Sequence, residues 1–430
     1  MSGSKPIIDG EDVVPGPTPC NAGCWSGMVQ IDFQNYIDFE NISVMNVEGY
    51  GIKVRDCENI NIYNIKTENT YRNGIQLKDC NKNGGSSVIE GCDIREYARV
   101  WPEYCESNPD CGWPAGLVGL GTHNLIIRKN IVYEGYGEGI YFGNLNAGAV
   151  GSNCLIEDNI VYDSRAASIY IHNAGDVVIR RNLAYGTGNP TYCDRFVYDG
   201  VYFTGNGIYV TDEKWWNAVF QLDNIRVYNN LVAFTYSGMH IGNSHIRDDG
   251  TYASFSNSVV YNNVFVDNYN SLNIAGPFAS NSFIKNNIFW CISGNCNIYN
   301  GRNSFSGIEF SNNLWSSMPP DGIQGPNDIY SLPQLTKTSG WRSMTAGSLS
   351  GHDFTLQSTS PAIDAGISTA PTVTDDYWGT SRPQGSAYDI GAYEYGGSSP
   401  SPTCASQGHN CCNSCQSGIE DHPSLSGTCP

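Results

Sequence analysis

Two histidines and three tyrosines recur in one kind of short segment, and they carry the chemistry this chain could perform. The segments read GIYF at 139, SIYI at 168, GIYV at 207 and GMHI at 238, with relatives GIKV at 51 and GIQL at 74. Each alternates apolar and variable residues, the period of a half-buried strand. If successive copies stack, the variable positions form an outward column of Lys53, Gln76, Val118, Tyr141, Tyr170, Tyr209, His240 and Asn273. Two residues on, a second column reads Arg55, Lys78, Leu120, Gly143, His172, Thr211, Gly242 and Ala275. Its middle is aromatic and bears histidines, and one end is basic.

Tyrosine and histidine exchange protons near neutrality when their surroundings tune them, and aromatic rings stack on sugar faces. Gly143 and Gly242 leave room beside His172, as a sugar-chain groove requires. Cross-strand stacking of a tyrosine ladder that only stabilises a sheet uses the same residues. The aromatic insertions weigh for the groove: EYARVWPEYCESNPDCGWPA (96–115) carries Trp101, and GIYVTDEKWW (207–216) carries Lys214 and Trp215.

Two reactions fit such a groove. β-Elimination on a uronic-acid polymer needs a base at C5, an acid at the glycosidic oxygen and a cation on the substrate carboxylate. His172 with Tyr170 or Tyr209, and His240 nearby, are the candidate catalysts. Tyr141, Lys78, Arg247, Lys214, Trp215 and Trp101 are the candidate substrate contacts. Epimerisation at C5 uses the same parts. Hydrolysis of a neutral glycan needs two carboxyl groups at a set separation; Asp194, Asp199, Asp212, Glu213 and Asp248 are the loop candidates, in no recognisable pair. Glu134 and Glu138, four apart in NIVYEGYGEGIYFGN (130–144), fall at a Gly-rich corner and read as solvated turn residues, with Glu138 bordering the groove.

A repeat must position these residues. Asn followed by Ile, Leu or Val recurs at 41, 64, 130, 159, 182, 230, 263, 287 and 313, with Cys92 in one Asn slot. Several steps are 23 to 29 residues, and the longer ones carry Gly, Pro and aromatic insertions. Helical periodicity is nowhere sustained, and glycines punctuate every segment.

Together these features resemble the right-handed parallel β-helix of the pectate-lyase-like superfamily, over roughly residues 28–317. The resemblance implies an all-β chain of about ten single-stranded coils, whose repeated Asn residues stack as a buried amide ladder. It implies polysaccharide as the partner and, for the activity, a lyase or C5-epimerase on a uronate-containing glycan. A glycoside hydrolase, or a non-catalytic adhesin, surface-layer or fibre protein, is the alternative. Calcium assists many such enzymes, and the acidic loops offer oxygen ligands for it. Cys57 and Cys80, 23 residues apart at equivalent positions, should stack within bridging distance and form a disulfide.

The pattern stops after residue 317. Residues 318–396 read as a closing segment in which Asp364, Asp376, Arg382 and Asp389 hold turns and ion pairs. A Gly/Ser/Pro linker (397–403) leads to a tail (404–430) with five cysteines, a fit for surface attachment or self-association. A net charge of −19 argues against nucleic acid. No stretch of about 18 apolar residues offers a membrane span. The first residues lack the apolar core of a secretory signal. Sixteen cysteines nonetheless point to an oxidising, extracellular setting, with Cys20 and Cys24, Cys105 and Cys111, and Cys291 and Cys296 placed as loop staples.

Overall fold

The computed structural model describes residues 5–10, 26–100, 114–144, 151–198, 200–211, 222–242, 254–275, 278–292, 297–300 and 305–397. The strands form three long parallel sheets, and the chain visits them in turn, so each circuit makes one coil. Sheet A runs from Ile7–Asp9 to Ile329–Tyr330, sheet B from Gly27–Asp32 to Asn297–Asn300, and sheet C from Asn35–Glu40 to Ile308–Ser311. This is the right-handed parallel β-helix expected from the repeat.

Each coil stays narrow because its corners turn through left-handed backbone. Asn and Asp dominate there, including Asn59, Asp79, Asp158, Asn229, Asn262 and Asn286, all with φ between 52° and 58°. Their short polar side chains tolerate this region better than most. In sheet B, most strands carry near their start a Gly or Ser followed by an aliphatic residue, as at Gly51–Ile52, Gly139–Ile140, Ser168–Ile169 and Gly207–Ile208. A Cβ on Gly139 would meet Val161 Cγ1 and the Ser168 carbonyl, so Gly139 and Ile140 both face inward. That pair makes room at the bend, and strict alternation resumes only at Tyr141.

The interior is one continuous stack of aliphatic and aromatic residues, from Val44 and Ile52 to Phe289 and Trp315. At one inner corner Asn130, Asn159, Asn182, Asn230, Asn263, Asn287 and Asn313 stack, each donating Nδ2 to the next Oδ1 at 2.9–3.0 Å. Asp328 ends the row by accepting from the Asn313 amide at 2.8 Å. Cys92 occupies the Asn slot, and its backbone N–H donates to Asn130 Oδ1 at 2.9 Å.

Two expectations are corrected. Asn41 and Asn64 do not belong to the buried ladder. Ser43 pairs with Lys66, Lys66 with Asp93, and Asp93 with Ile131, so Ile42 and Ile65 hold the inner slot. Asn41 and Asn64 are the left-handed corner residues just before it, bonded to each other at 2.6 Å on the outside.

Cys57 and Cys80 are free buried thiols. In-register parallel strands keep equivalent Cβ atoms about 4.8 Å apart and pointing the same way, whereas a disulfide needs them converging to about 3.8 Å. Each thiol donates instead to a carbonyl two residues back, Arg55 at 3.1 Å and Lys78 at 3.4 Å. Cys291 is disulfide-bonded, to a partner outside the described residues.

The segment after 317 first closes the stack, adding Ile329–Tyr330 to Leu314–Trp315 with Ile323 in the inner core, and then turns over the side of the coils. It runs back along the outer face of sheet A, where Trp341, Phe354, Ile390 and Tyr393 join Tyr133, Tyr162, Leu183, Tyr185 and Leu231 in a second core. Corner asparagines hold its backbone: Asn229 donates to Asp375 O at 2.8 Å, Asn262 to Asp389 O at 3.1 Å and Asn286 to Ile367 O at 2.7 Å. Buried Arg382 bonds Glu394 at 2.6 Å and Asn229 Oδ1 at 3.1 Å. Asp376 and Asp389 accept backbone N–H groups, the turn-holding role expected of them. The linker beyond 397 and the cysteine-rich tail lie outside the described residues.

Candidate functional site

The outer face of sheet B carries both expected columns in register. Lys53 pairs with Gln76, Gln76 with Val118, Val118 with Tyr141, and the row continues through Tyr170, Tyr209, His240 and Asn273 to Tyr299. Beside it run Arg55, Lys78, Leu120, Gly143, His172 and Thr211. The hydrogen-bonding ladder makes this register unavoidable, since a one-residue slip would turn Ile140, Ile169 and Ile208 outward.

The rings form a continuous stack. Tyr141 and Tyr170 centroids lie 5.4 Å apart, Tyr170 and Tyr209 5.0 Å, and Tyr209 and His240 4.1 Å. His172 lies nearly parallel to Tyr170 at 5.7 Å. Its two nitrogens are both engaged: Asn173 Nδ2 donates to Nε2 at 3.1 Å, and Nδ1 lies 3.2 Å from the Tyr141 hydroxyl. With Nε2 accepting, the neutral ring carries its proton on Nδ1 and donates it to the Tyr141 oxygen.

The face is more enclosed than an open groove. His172 is 2 % exposed, Tyr170 7 % and Tyr141 8 %, while Tyr209 and His240 are only half-buried. Tyr209 and His240 are the less enclosed part of the row. Dehydration pulls the His240 pKa down to about 3, so this ring is neutral at physiological pH.

The basic end holds Lys53, Arg55 and Lys78, all half-buried. Burial, then the neighbouring Arg55 charge, lowers the Lys53 pKa. Asp32 lies 3.2 Å from Arg55 and offsets part of the field. Lys78 sits two rungs, about 9.6 Å, from Gly143.

Glu138 corrects the reading of the corner. It is 6 % exposed, opens the strand Glu138–Gly143, and lies on the same outer face as Tyr141 between Ala115 and Ala167. Asn206 occupies the equivalent position two coils on. The sequence placed Glu138 only at the border of the groove and left Asn206 aside, because the paired inward residues Gly139–Ile140 and Gly207–Ile208 shift the face by one position. The recurrence of Gly or Ser before each aliphatic residue was the available signal. Glu134 is a left-handed corner residue, half-buried, with its pKa raised by burial and by Asp163.

Asp194 forms an ion pair with Arg165 at 2.7 Å. Trp101, Lys214, Trp215 and Arg247, with Asp199, Asp212, Glu213 and Asp248, lie outside the described residues. Among the described residues no three His, Cys, Asp or Glu side chains gather as a metal site.

Fold and face together define a right-handed parallel β-helix protein with a tyrosine–histidine row on one outer sheet. The family described as "Right handed beta helix region" matches residues 27–232. No curated protein sequence matches the chain. Among solved structures, pectate lyase Pel9A aligns over 91 % of this chain and 86 % of its own, at 15 % identity and a TM-score of 0.54, a likeness of fold. The alginate lyase AlyGC aligns over 82 % of this chain and 56 % of its own, at 14 % identity and a TM-score of 0.39. The A-module of the Azotobacter vinelandii mannuronan C-5 epimerase AlgE4 aligns over 69 % and 64 %, at 14 % identity and a TM-score of 0.35.

Proposed function

We propose that the protein acts outside the cell on a uronate-containing polysaccharide, as a β-eliminating lyase or a C5-epimerase, with sheet B as its substrate face. The observation that carries this reading is the chain Asn173–His172–Tyr141, in which an imidazole held at both nitrogens lies 3.2 Å from a phenol on an outward strand. Tyr141, ionised to the phenolate before substrate reacts, takes the C5 proton as the base and becomes the neutral phenol. The electron pair delocalises onto the carboxylate, and the C4–O bond then breaks. Tyr209, the half-exposed phenol of the row, protonates the departing glycosidic oxygen. In epimerisation the C4–O bond stays intact and C5 is reprotonated from the opposite face. The cations Lys53, Arg55 and Lys78 draw the polyanion onto one end of the face, a local field against the acidic chain. Lys214 and Arg247 are assigned to the reacting carboxylate, and any calcium requirement to ligands outside the described residues; chelation followed by calcium restoration tests the latter.

Among the described residues Glu138 is the one carboxyl on the outer face beside the tyrosine row, where hydrolysis needs two. A ladder that only stabilises the sheet would predict no turnover and no kinetic effect from removing a hydroxyl. The discriminating experiment is a screen of uronate polymers for the ultraviolet absorbance of the unsaturated product, and for inverted C5 by proton NMR. Tyr141→Phe should lower kcat by about 10²–10⁴-fold, the usual weight of a general acid or base, with folding unchanged. Reducing ends released without unsaturation or inversion would overturn the reading.

A further inference from the structure

The far end of sheet B differs chemically from its basic end. There the outward column runs Tyr209, His240, Asn273, Tyr299, and Thr211 stands beside it, followed in its own column by Gly242 and Ala275. Three polar atoms in this patch lack a hydrogen-bond partner among the described residues: His240 Nε2, Asn273 Oδ1 and Thr211 Oγ1. Asn273 is 5 % exposed and Thr211 fully buried, so these are costly positions for unmade bonds. They lie on adjacent rungs of one face, about 4.8 Å apart along the column.

Their hydrogen-bonding character is fixed. His240 Nδ1 lies 3.3 Å from Asn206 Oδ1, an acceptor, so Nδ1 carries the proton and Nε2 presents a lone pair. Asn273 Oδ1 presents lone pairs, and the Thr211 hydroxyl gives or accepts. Such a set matches a pair of sugar hydroxyls, which donate, and repels a carboxylate, which only accepts. Aromatic rings bracket it: Tyr209 stacks on His240 at 4.1 Å, and Tyr299 at the next rung is 49 % exposed. Along the neighbouring corner, the hairpin strands Phe196–Tyr198 and Val201–Phe203 bring Phe196 and Tyr198 onto Tyr236 and Tyr269 at 4.1 and 3.8 Å. Tyr236 and Tyr269 directly precede Ser237 and Asn270 of the sheet-B strands, so the rim of this end is also aromatic.

We infer that His240, Asn273 and Thr211 form a subsite for the hydroxyl face of a neutral sugar, so that the glycan this face takes is a heteropolymer in which neutral sugars accompany uronates. The inference rests on the reading of sheet B as a glycan-binding face. It assigns carboxylates to the Lys53–Lys78 end and hydroxyl pairs to the Asn273 end.

The test is calorimetric titration of the full chain with two probes: a tetrasaccharide of alternating glucuronate and glucose, and tetraglucuronate. The alternating probe should bind about tenfold more tightly, and Thr211→Val or Asn273→Leu should each weaken it by about tenfold, as expected when buried acceptors lose a hydroxyl partner. Tetraglucuronate affinity should change less than about twofold, and Thr211→Ser should retain binding because it retains the hydroxyl. Equal losses on both probes, no loss on either, or a crystal structure in which buried water alone satisfies the three atoms would overturn the inference. Thr211→Val keeps the side-chain shape, so the comparison survives if Asn273→Leu fails to fold. Absence of unsaturated product from every polymer, with this binding split intact, would instead fail the lyase reading alone.

Discussion

His240 shows how far one environment can move a single group. Packing against Tyr209 leaves the ring dehydrated, and its pKa falls to about 3 from an ordinary value near 6.5. The unfolded chain therefore takes up a proton on this residue before the folded chain does. Its contribution to stability is full above about pH 6.5 and is lost as pH falls from there toward 3. His240→Leu should lessen the loss of unfolding free energy between pH 7 and 5, measured by urea titration, and the His240 ring resonances should not titrate across that range. A midpoint near 6 would contradict the assigned environment. The sequence made Tyr141, Tyr170, Tyr209 and His240 legible as one row because period-2 alternation sets sidedness. It put Glu138 only at the border of the groove and left Asn206 aside, since two successive inward residues break that period and only packing against Val161 and its equivalents reveals the break.

Among the repeated elements, the asparagine ladder is the most cooperative. Asn182 accepts from the Asn159 amide and side chain, and donates to Ile156 O and Asn230 Oδ1, at 2.9–3.1 Å. Asn182→Ala leaves several buried groups unpaired and should cost about 3–5 kcal/mol in urea unfolding, since each orphaned group costs about 1–3. Asn41→Gly should change stability by less than about 1 kcal/mol, because that corner is exposed and Gly readily takes φ > 0. Equal costs would put Asn41 in the buried ladder after all. The Asn-Ile signal could not separate the two classes: the corner residue and the inner residue are neighbours, and both favour Asn for different reasons.

For the molecule as a whole, the segment from 331 to 397 acts as a strap along the coils. It buries Trp341, Phe354, Ile390 and Tyr393 against the outer residues of sheet A, which would otherwise face water. A chain ending at residue 331 should expose this apolar face, bind a hydrophobic dye and unfold at least 10 °C lower or aggregate, given that burying each large side chain is worth about 1.5–3 kcal/mol. A monodisperse truncated chain with unchanged Tm would show the strap to be dispensable. The coil architecture was readable from the repeat, yet the strap's course was not. Its contacts pair residues more than a hundred positions apart, such as Asn262 with Asp389, and no periodicity announces them.

Turnover on the sheet-B face is the central claim, and one measurement addresses it most directly. Wild type and Tyr141→Phe are incubated with a panel of uronate homopolymers and heteropolymers, following unsaturated product by ultraviolet absorbance and C5 configuration by NMR. The account predicts unsaturation or inversion on at least one polymer, reduced about 10²–10⁴-fold in the variant while its Tm is unchanged. No reaction on any polymer, or equal rates in the two proteins, would contradict it.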